Sequence, residues 1–245
     1  MGAKSIPRAT KAQITQRFTK KLLAWYARAA RDLPWRRTRD PYHIVVSEFM
    51  LQQTQVSRVL EYYPRFLERF PTVDHLARAR PKAVRAAWEG LGYYARARNL
   101  HSLAKHVSSA GSQVPNDPQE LIKLPGVGPY TAAAVATFAY EKPVPAVDTN
   151  VARVIRRAFM GPGRGGGRGG ETRNEKQETW ELAASLVPRT GKRAWRFNQA
   201  IMELGALVCI ARKPRCPECP VLAECKTGRP LVRRQVASRQ AASRS

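Results

Sequence analysis

The sequence predicts an all-α protein, and three observations carry that expectation. Apolar residues recur at helical spacing: Ile14, Phe18, Leu22, Trp25 and Ala29 form one stripe with Lys and Arg between them. Alternating strand patterns are scarce throughout. Pro34, Pro71, Pro81 and Pro118 stand where apolar stretches stop or start, as helix ends require.

In chain order, residues 1–10 are basic and read as a loose tail. A helix follows over 11–30 and ends at Asp32-Leu33-Pro34-Trp35. Arg36 to Pro41 is a charged loop before a helix from about Tyr42 to Gln53. Another runs over Ser57–Phe70, stopped by Pro71. Thr72 or Asp74 caps a short helix, and Pro81 starts the next. Gly90-Leu91-Gly92-Tyr93-Tyr94 is a tight turn before a basic helix, Ala95–Ala110. Asp117, Pro118 and Glu120 read as N-cap, first helical residue and capping-box partner. Leu121, Ile122 and Leu124 then supply an apolar face. Pro125-Gly126-Val127-Gly128 breaks that helix, and an Ala-rich one runs from about Tyr130 to Tyr140. A proline-punctuated loop ends on Asp148, a candidate N-cap for a helix beginning near Asn150. Gly161 to Gly170 is low-complexity and expected as a flexible surface loop. Helices resume at Lys176–Val187 and Ala194–Val208. Arg229 to Ser245 holds five Arg and no acid, and reads as a disordered basic tail.

At 245 residues, 43% hydrophobic, the chain can build one large domain or two small lobes. No apolar run approaches the roughly 20 residues that span a bilayer. No apolar segment follows the basic N-terminus, so no secretory signal is expected. The expected location is cytoplasmic, associated with the nucleoid if prokaryotic, and the expected state monomeric. Lys plus Arg number 43 against 18 Asp plus Glu, a net charge of +25. That excess calls for a polyanionic partner, nucleic acid first. A membrane surface ranks second, because no long helix pairs a basic face with an exposed apolar one. The stretch 121–150 fits the first partner: Gly126 and Gly128 let backbone approach closely, and the next helix turns free N–H groups toward the hairpin.

All four cysteines fall in one segment: Cys209, Cys216, Cys219 and Cys225. Six, two and five residues separate them. In an intracellular chain such clustering favours a metal over disulfides. Four thiolates suit structural zinc or an iron–sulfur cluster, and spacing alone leaves both open. Arg212, Lys213 and Arg215 lie between the first two cysteines, where a pinned basic loop can grip a phosphate backbone.

Several segments together resemble one family. The glycine hairpin followed by Asp148 resembles the helix-hairpin-helix plus Gly/Pro-Asp signature of DNA glycosylases. The cysteine spacing is similar to the [4Fe–4S] loop of the endonuclease III and MutY-type branches. Ser47-Glu48-Phe49-Met50-Leu51-Gln52-Gln53-Thr54-Gln55-Val56 and Gly90-Leu91-Gly92-Tyr93-Tyr94-Ala95-Arg96-Ala97-Arg98-Asn99 resemble adenine DNA glycosylases of the MutY type. The match runs from about Leu33 to Cys225.

The resemblance implies two helical lobes with the active site in the cleft between them. One lobe is a six-helix barrel, residues 34–144, holding the helix-hairpin-helix. The other is a discontinuous iron–sulfur domain, residues 11–33 and 145–228, with basic tails at 1–10 and 229–245. It implies one [4Fe–4S] cluster on the four cysteines and double-stranded DNA with a mismatched base as partner. The implied reaction is hydrolysis of the N-glycosidic bond of adenine opposite guanine or 8-oxoguanine. Glu48 then protonates the adenine ring, which needs a carboxyl whose pKa burial has raised. Asp148 stays ionised and supports the cationic sugar, and Asn150 orients Asp148 or the water. Gln53 and Tyr93 wedge into the vacated stack, Leu51 and Gln52 read the opposite base, and Arg36 and Tyr130 line the pocket with Trp35 beside them. The endonuclease III branch carries a lysine where this chain has Tyr130, so a monofunctional enzyme is expected. The further C-terminal domain of MutY-type enzymes is expected to be absent. That keeps a thymine- or uracil–guanine mismatch glycosylase as the rival, with a non-catalytic DNA-binding iron–sulfur protein behind it.

Overall fold

The computed structural model describes residues 10–162 and 172–242. The expectations for residues 1–9 and for most of the Gly-rich loop lie outside those residues. Among the described residues there are helices and no strand. The chain divides into two compact units. Among the described residues, one holds 31–146 and 190–195; the other holds 10–30, 147–162, 172–189 and 196–242. The first boundary falls at residues 30 and 31, and the first unit also takes in a later segment, 190–195, which the sequence did not signal.

The first unit is built on α2 (Pro41–Leu51). Asp40 caps it, its carboxylate accepting from the N–H groups of Tyr42 and His43, and Pro41 takes the first position. The helix is apolar nearly all round and buries Tyr42 and every residue from Ile44 to Met50. A helix of that kind must be wrapped on all sides. α3 (Val56–Arg69), α6 (Ala95–Ser109) and α8 (Pro129–Tyr140) pack against it. α4 (Val73–Arg78), α5 (Pro81–Ala87) and the single-turn α7 (Pro118–Leu121) complete the unit. Aromatic edges fill the core: Phe66 meets Phe70 and Trp88, and Trp35 meets Tyr63 at 5.5 Å. Trp35 is therefore a core residue. The capping box expected at Asp117 forms only in part. Asp117 accepts from Gln119 N–H, while Glu120 pairs with Lys123 Nζ at 2.7 Å.

The second unit holds α1 (Lys11–Ala29), α9 (Thr149–Ile155), α10 (Arg173–Leu186), most of α11 (Gly191–Leu207) and α12 (Gly228–Ala242). α1 and α10 each open with a capping box, Thr10 with Gln13 and Thr172 with Glu175. The buried face of α1 centres on Phe18, Leu22 and Tyr26, which pack with Ile155, Phe197, Ile201 and Leu204. The basic tail expected to lack structure is instead α12 through Ala242. Its Arg, Gln and Ala residues are good helix formers, and its first N–H, from Gly228, donates to the Cys225 sulfur at 3.1 Å. That contact anchors the first turn. No helix among the described residues is long and apolar enough to cross a membrane.

Candidate active site

Glu48 lies two-thirds of the way along α2 and is 4% exposed. Its neighbours on that helix are apolar apart from Ser47, whose hydroxyl donates to Ile44 O. The fold thus carries one carboxyl group into the centre of the first unit. Local sequence explains how: a cap and a proline start the helix, and hydrophobic burial holds it.

α2 ends in an unusual way. Gln52 is its C-cap, and Gln53 follows with φ +56°. The last carbonyls of a helix have no partner within it. Here the Arg96 guanidinium, from the first turn of α6, supplies one. Its Nη1 donates to Phe49 O at 3.0 Å, to Met50 O at 2.8 Å and to Gln52 O, while Nη2 donates to Leu91 O and Gly92 O, both at 3.1 Å. Arg96 is 7% exposed, and burial lowers its pKa from the usual guanidinium value. Trp88 lies under it at 5.4 Å and donates its own N–H to Gly92 O. Tyr93, the residue after Gly92, has φ +47° and is 63% exposed. Gln52, Gln53 and Tyr93 line one groove of about 460 Å³ with Arg96 and Arg98. Leu51 precedes it, half-buried.

The hairpin between α7 and α8 belongs to the same unit. Its two glycines differ. Gly126 has φ +76°, and a Cβ there would meet Asn99 Cβ at 2.6 Å and Phe49 Cε1 at 3.0 Å. Gly126 is therefore required by packing within the unit. Gly128 is the N-cap of α8, has ordinary extended φ, and has nothing within 4 Å of its would-be Cβ. Only the second glycine leaves space for something outside the chain. Tyr130 follows in the first turn of α8, half-buried, and α8 packs on α2. Arg36 is half-buried and donates from Nη1 to Arg31 O at 3.0 Å.

In the second unit Asp148 caps α9. Its Oδ1 accepts from Val151 N–H at 2.7 Å, and its Oδ2 accepts from Asn150 Nδ2 at 2.9 Å. Asn150 Oδ1 accepts from Arg153 Nη2, which also donates to Gly205 O. Arg153 Nε donates to Cys209 O at 2.8 Å. A continuous run of polar contacts therefore joins the Asp148 carboxylate to the first cysteine. It needs Gly205, because a Cβ there would lie 2.8 Å from Asn150 Cβ. Burial lowers the pKa of Arg153, with the nearby Cys209 opposing.

The four cysteines occupy the loop between α11 and α12, all partly buried. Arg157 clasps this loop, donating to Ile210 O at 2.8 Å, to Ala211 O at 2.9 Å and to the Cys209 sulfur at 3.5 Å. Gly228 sits against the sulfurs: its would-be Cβ would lie 3.3 Å from Cys225 Sγ and 3.6 Å from Cys216 Sγ. Burial raises the thiol pKa of Cys216 and Cys225 and pushes that of Cys219 up to about 12. A bound metal must displace those protons. Among the described residues no three Cys, His, Asp or Glu side chains converge as one ion requires. A single zinc needs four sulfurs about 2.3 Å from one point. Four thiols on one loop are a donor set that fits an iron–sulfur cluster as well. Arg212, Lys213 and Arg215 are exposed on the same loop, Lys213 with φ +51°.

The first unit thus brings together Gln52, Gln53 and Tyr93, and packs the hairpin on α2. The second joins Asp148, Asn150 and the cysteine loop. Sequence reasoning missed Arg96, Arg153 and Arg157. The only signal was their position, Arg96 inside a glycine-flanked motif and the others four residues apart on one helix face.

Residues 46–182 match the family model described as HhH-GPD superfamily base excision DNA repair protein. A protein named adenine DNA glycosylase from Mycolicibacterium smegmatis is 47% identical over 207 residues, 84% of this chain and 67% of its own length. One of the same name from Mycobacterium tuberculosis is 46% identical, covering 82% of this chain and 64% of its own length. The Homo sapiens protein of that name is 41% identical, over 89% of this chain and 41% of its own. The chain therefore spans about two thirds of the mycobacterial relatives and about two fifths of the human one. Among solved structures, a thermostable thymine-DNA glycosylase superposes with TM-score 0.79 at 30% identity, covering 90% of this chain and 99% of its own. A non-covalent endonuclease III–DNA complex gives TM-score 0.74 at 26% identity, covering 92% and 99%.

Proposed function

We propose, for a chain that belongs to the HhH-GPD superfamily of base excision DNA repair proteins, that it is a DNA glycosylase removing adenine mispaired with guanine or 8-oxoguanine. The observation that carries this is Glu48, an acid buried on an apolar helix whose end bears Gln52 and Gln53. Breaking the bond to adenine requires a proton on the leaving base, and a desolvated carboxyl is suited to hold one near neutral pH. Purine ring nitrogens accept such a proton; thymine has no equally basic ring nitrogen.

Asp148 supplies the opposite need. A carboxylate that accepts two hydrogen bonds is fixed in direction, and it supports positive charge developing on the sugar. Asn150 orients it. The target base leaves the stack at a cost of a few kcal/mol, lower at a mispair, with Tyr93 and Gln53 as the groups that fill the gap and Leu51 and Gln52 facing the opposite base. Gly128 and the α8 N-terminus bind a phosphate, as do Arg212, Lys213 and Arg215; Arg36 and Tyr130 line the base pocket. The roles of these residues are those of the resembling family, assigned to matching positions.

The cysteines are proposed to hold one [4Fe–4S] cluster, which shapes the loop and takes no part in the hydrolysis. Anaerobically prepared protein should carry about four iron and four sulfide per chain. Stoichiometric zinc without iron would overturn this. Tyr130 cannot form an imine, so the strand should stay intact until alkali is added. Efficient nicking with borohydride trapping would contradict that.

The deciding experiment is single-turnover base release from A:G, A:8-oxoguanine, T:G and U:G duplexes. Release from T:G or U:G but not A:G would favour the rival reading. That rival is supported by the structural similarity to the thymine-DNA glycosylase. Release from none, with binding retained, would leave a non-catalytic DNA-binding protein.

A further inference from the structure

We infer that Arg96 is the residue that holds the lesion-reading edge in shape. It does not touch DNA itself. This rests on the function proposed above and deepens it.

Two exposed residues assigned to the mispair, Gln53 and Tyr93, both sit in the left-handed region, at φ +56° and +47°. That conformation costs a non-glycine residue about 1 kcal/mol or more and persists only when its surroundings impose it. The residues lie at the ends of two separate segments, the end of α2 and the Gly90–Gly92 turn. One side chain reaches both. Arg96 donates to Phe49 O, Met50 O and Gln52 O on the first and to Leu91 O and Gly92 O on the second. Its contacts therefore end at the peptide immediately before Gln53 and the one immediately before Tyr93.

The chemistry suits the task. Helix-end carbonyls carry partial negative charge, and a cation placed on them is favoured. A planar guanidinium can donate in several fixed directions at once, whereas an ammonium is a single point. Burial strengthens each bond, and Trp88 supports the guanidinium from one face. The Tyr93 ring lies 5.6 Å from the guanidinium carbon, so the same group also limits where the wedge can point. Nothing in the arrangement requires Arg96 to reach a nucleotide: it is 7% exposed where it lines the groove beside Gln52, Gln53 and Tyr93, and its guanidinium is taken up by those carbonyls.

The test uses Arg96→Lys in the full chain, which keeps the charge and loses the fork. Duplexes carry A:8-oxoguanine, A:G, T:G or a matched pair, with 2-aminopurine beside the variable pair to report unstacking. The lysine variant should stay folded, with a lowered melting temperature, and keep its affinity for matched DNA. Its preference for mispaired over matched duplex should fall about tenfold or more, as expected for losing a charge-assisted bond, and the 2-aminopurine signal should fall with it. A preference within about twofold of wild type overturns the proposal. So does a parallel loss of matched and mispaired binding, which marks a merely structural role. Should the lysine variant unfold, Trp88→Phe decides. It removes the N–H bond to Gly92 O and must lower the preference in the same direction, and an unchanged preference overturns the proposal. Base release is followed in parallel on wild-type protein. If wild type prefers a mispair yet releases no base, the enzymatic reading fails while the binding arm still decides Arg96. If wild type shows no preference at all, the role given to Arg96 falls.

Discussion

The two candidate acids are held by opposite means. Glu48 stands buried on a helix that is apolar nearly all round, and the end of that helix is tied down by one buried arginine. Asp148 stands at the start of a short helix in a run of polar contacts that continues through Asn150 and Arg153 to Cys209. Burial suits a carboxyl to deliver a proton to a leaving base, and two donors fix the direction of a carboxylate. Two carboxyl groups on one chain can thus be given opposite tasks by packing alone. The two also depend on different things. The first unit rests on the core around α2, the second on the core around Phe18, Leu22 and Phe197 with the cysteine loop beside it.

The sharpest way to break this comparison is to exchange acid for amide in each place. Glu48→Gln should lower adenine release by about 10²- to 10⁴-fold with mispair binding retained. Asp148→Asn should lower it by about 10²- to 10³-fold. Single-turnover rates on A:G duplex check both, and a variant within tenfold of wild type would remove that acid from the mechanism.

Iron removal comes next. If the cysteines hold the proposed cluster, stripping it should destabilise the second unit by several kcal/mol, because metal-binding energy is folding energy. Hydrogen exchange should show residues 147–157 and 204–228 losing protection while 42–50 keep theirs. Equal loss in both units would mean that they do not depend on the cysteine loop differently.

The hairpin glycines separate fold from contact. Gly126→Ala should cost about 1–3 kcal/mol, since it meets Asn99 and Phe49 at a strained φ. Gly128→Ala should leave stability within about 0.5 kcal/mol while weakening binding to matched and mispaired DNA alike. Denaturant titration and binding assays at a fixed salt concentration measure the two effects. The smallest effect belongs to Lys21, which tethers α1 to Glu224 of the cysteine loop at 3.0 Å. Lys21 is nearly half exposed, so Lys21→Ala should cost no more than about 1 kcal/mol. A larger loss would show that the loop leans on α1 more than the geometry indicates.

What the sequence determined alone is what local rules govern. Helix positions followed from apolar period, caps and prolines, each of which acts within a few residues. The cysteine loop was legible because four thiols so close together have few uses. The helix bearing Glu48, the cap at Asp148 and the hairpin were legible because their motifs are contiguous. Residues 229–242 misled because charge density was read as disorder. A local contact, from the Gly228 N–H to the Cys225 sulfur, starts a helix there, which charge counting cannot register. Only the tertiary structure decided that Gly126 serves packing and Gly128 serves the outside, because one has Asn99 and Phe49 beside it and the other has open space. Only it showed that Arg96, 44 residues from Gln52 in sequence, bonds the carbonyl there. It alone joined Arg153 to Cys209 across 56 residues. A buried arginine satisfies whichever carbonyls the fold brings to it, and no pattern along the chain records which those will be.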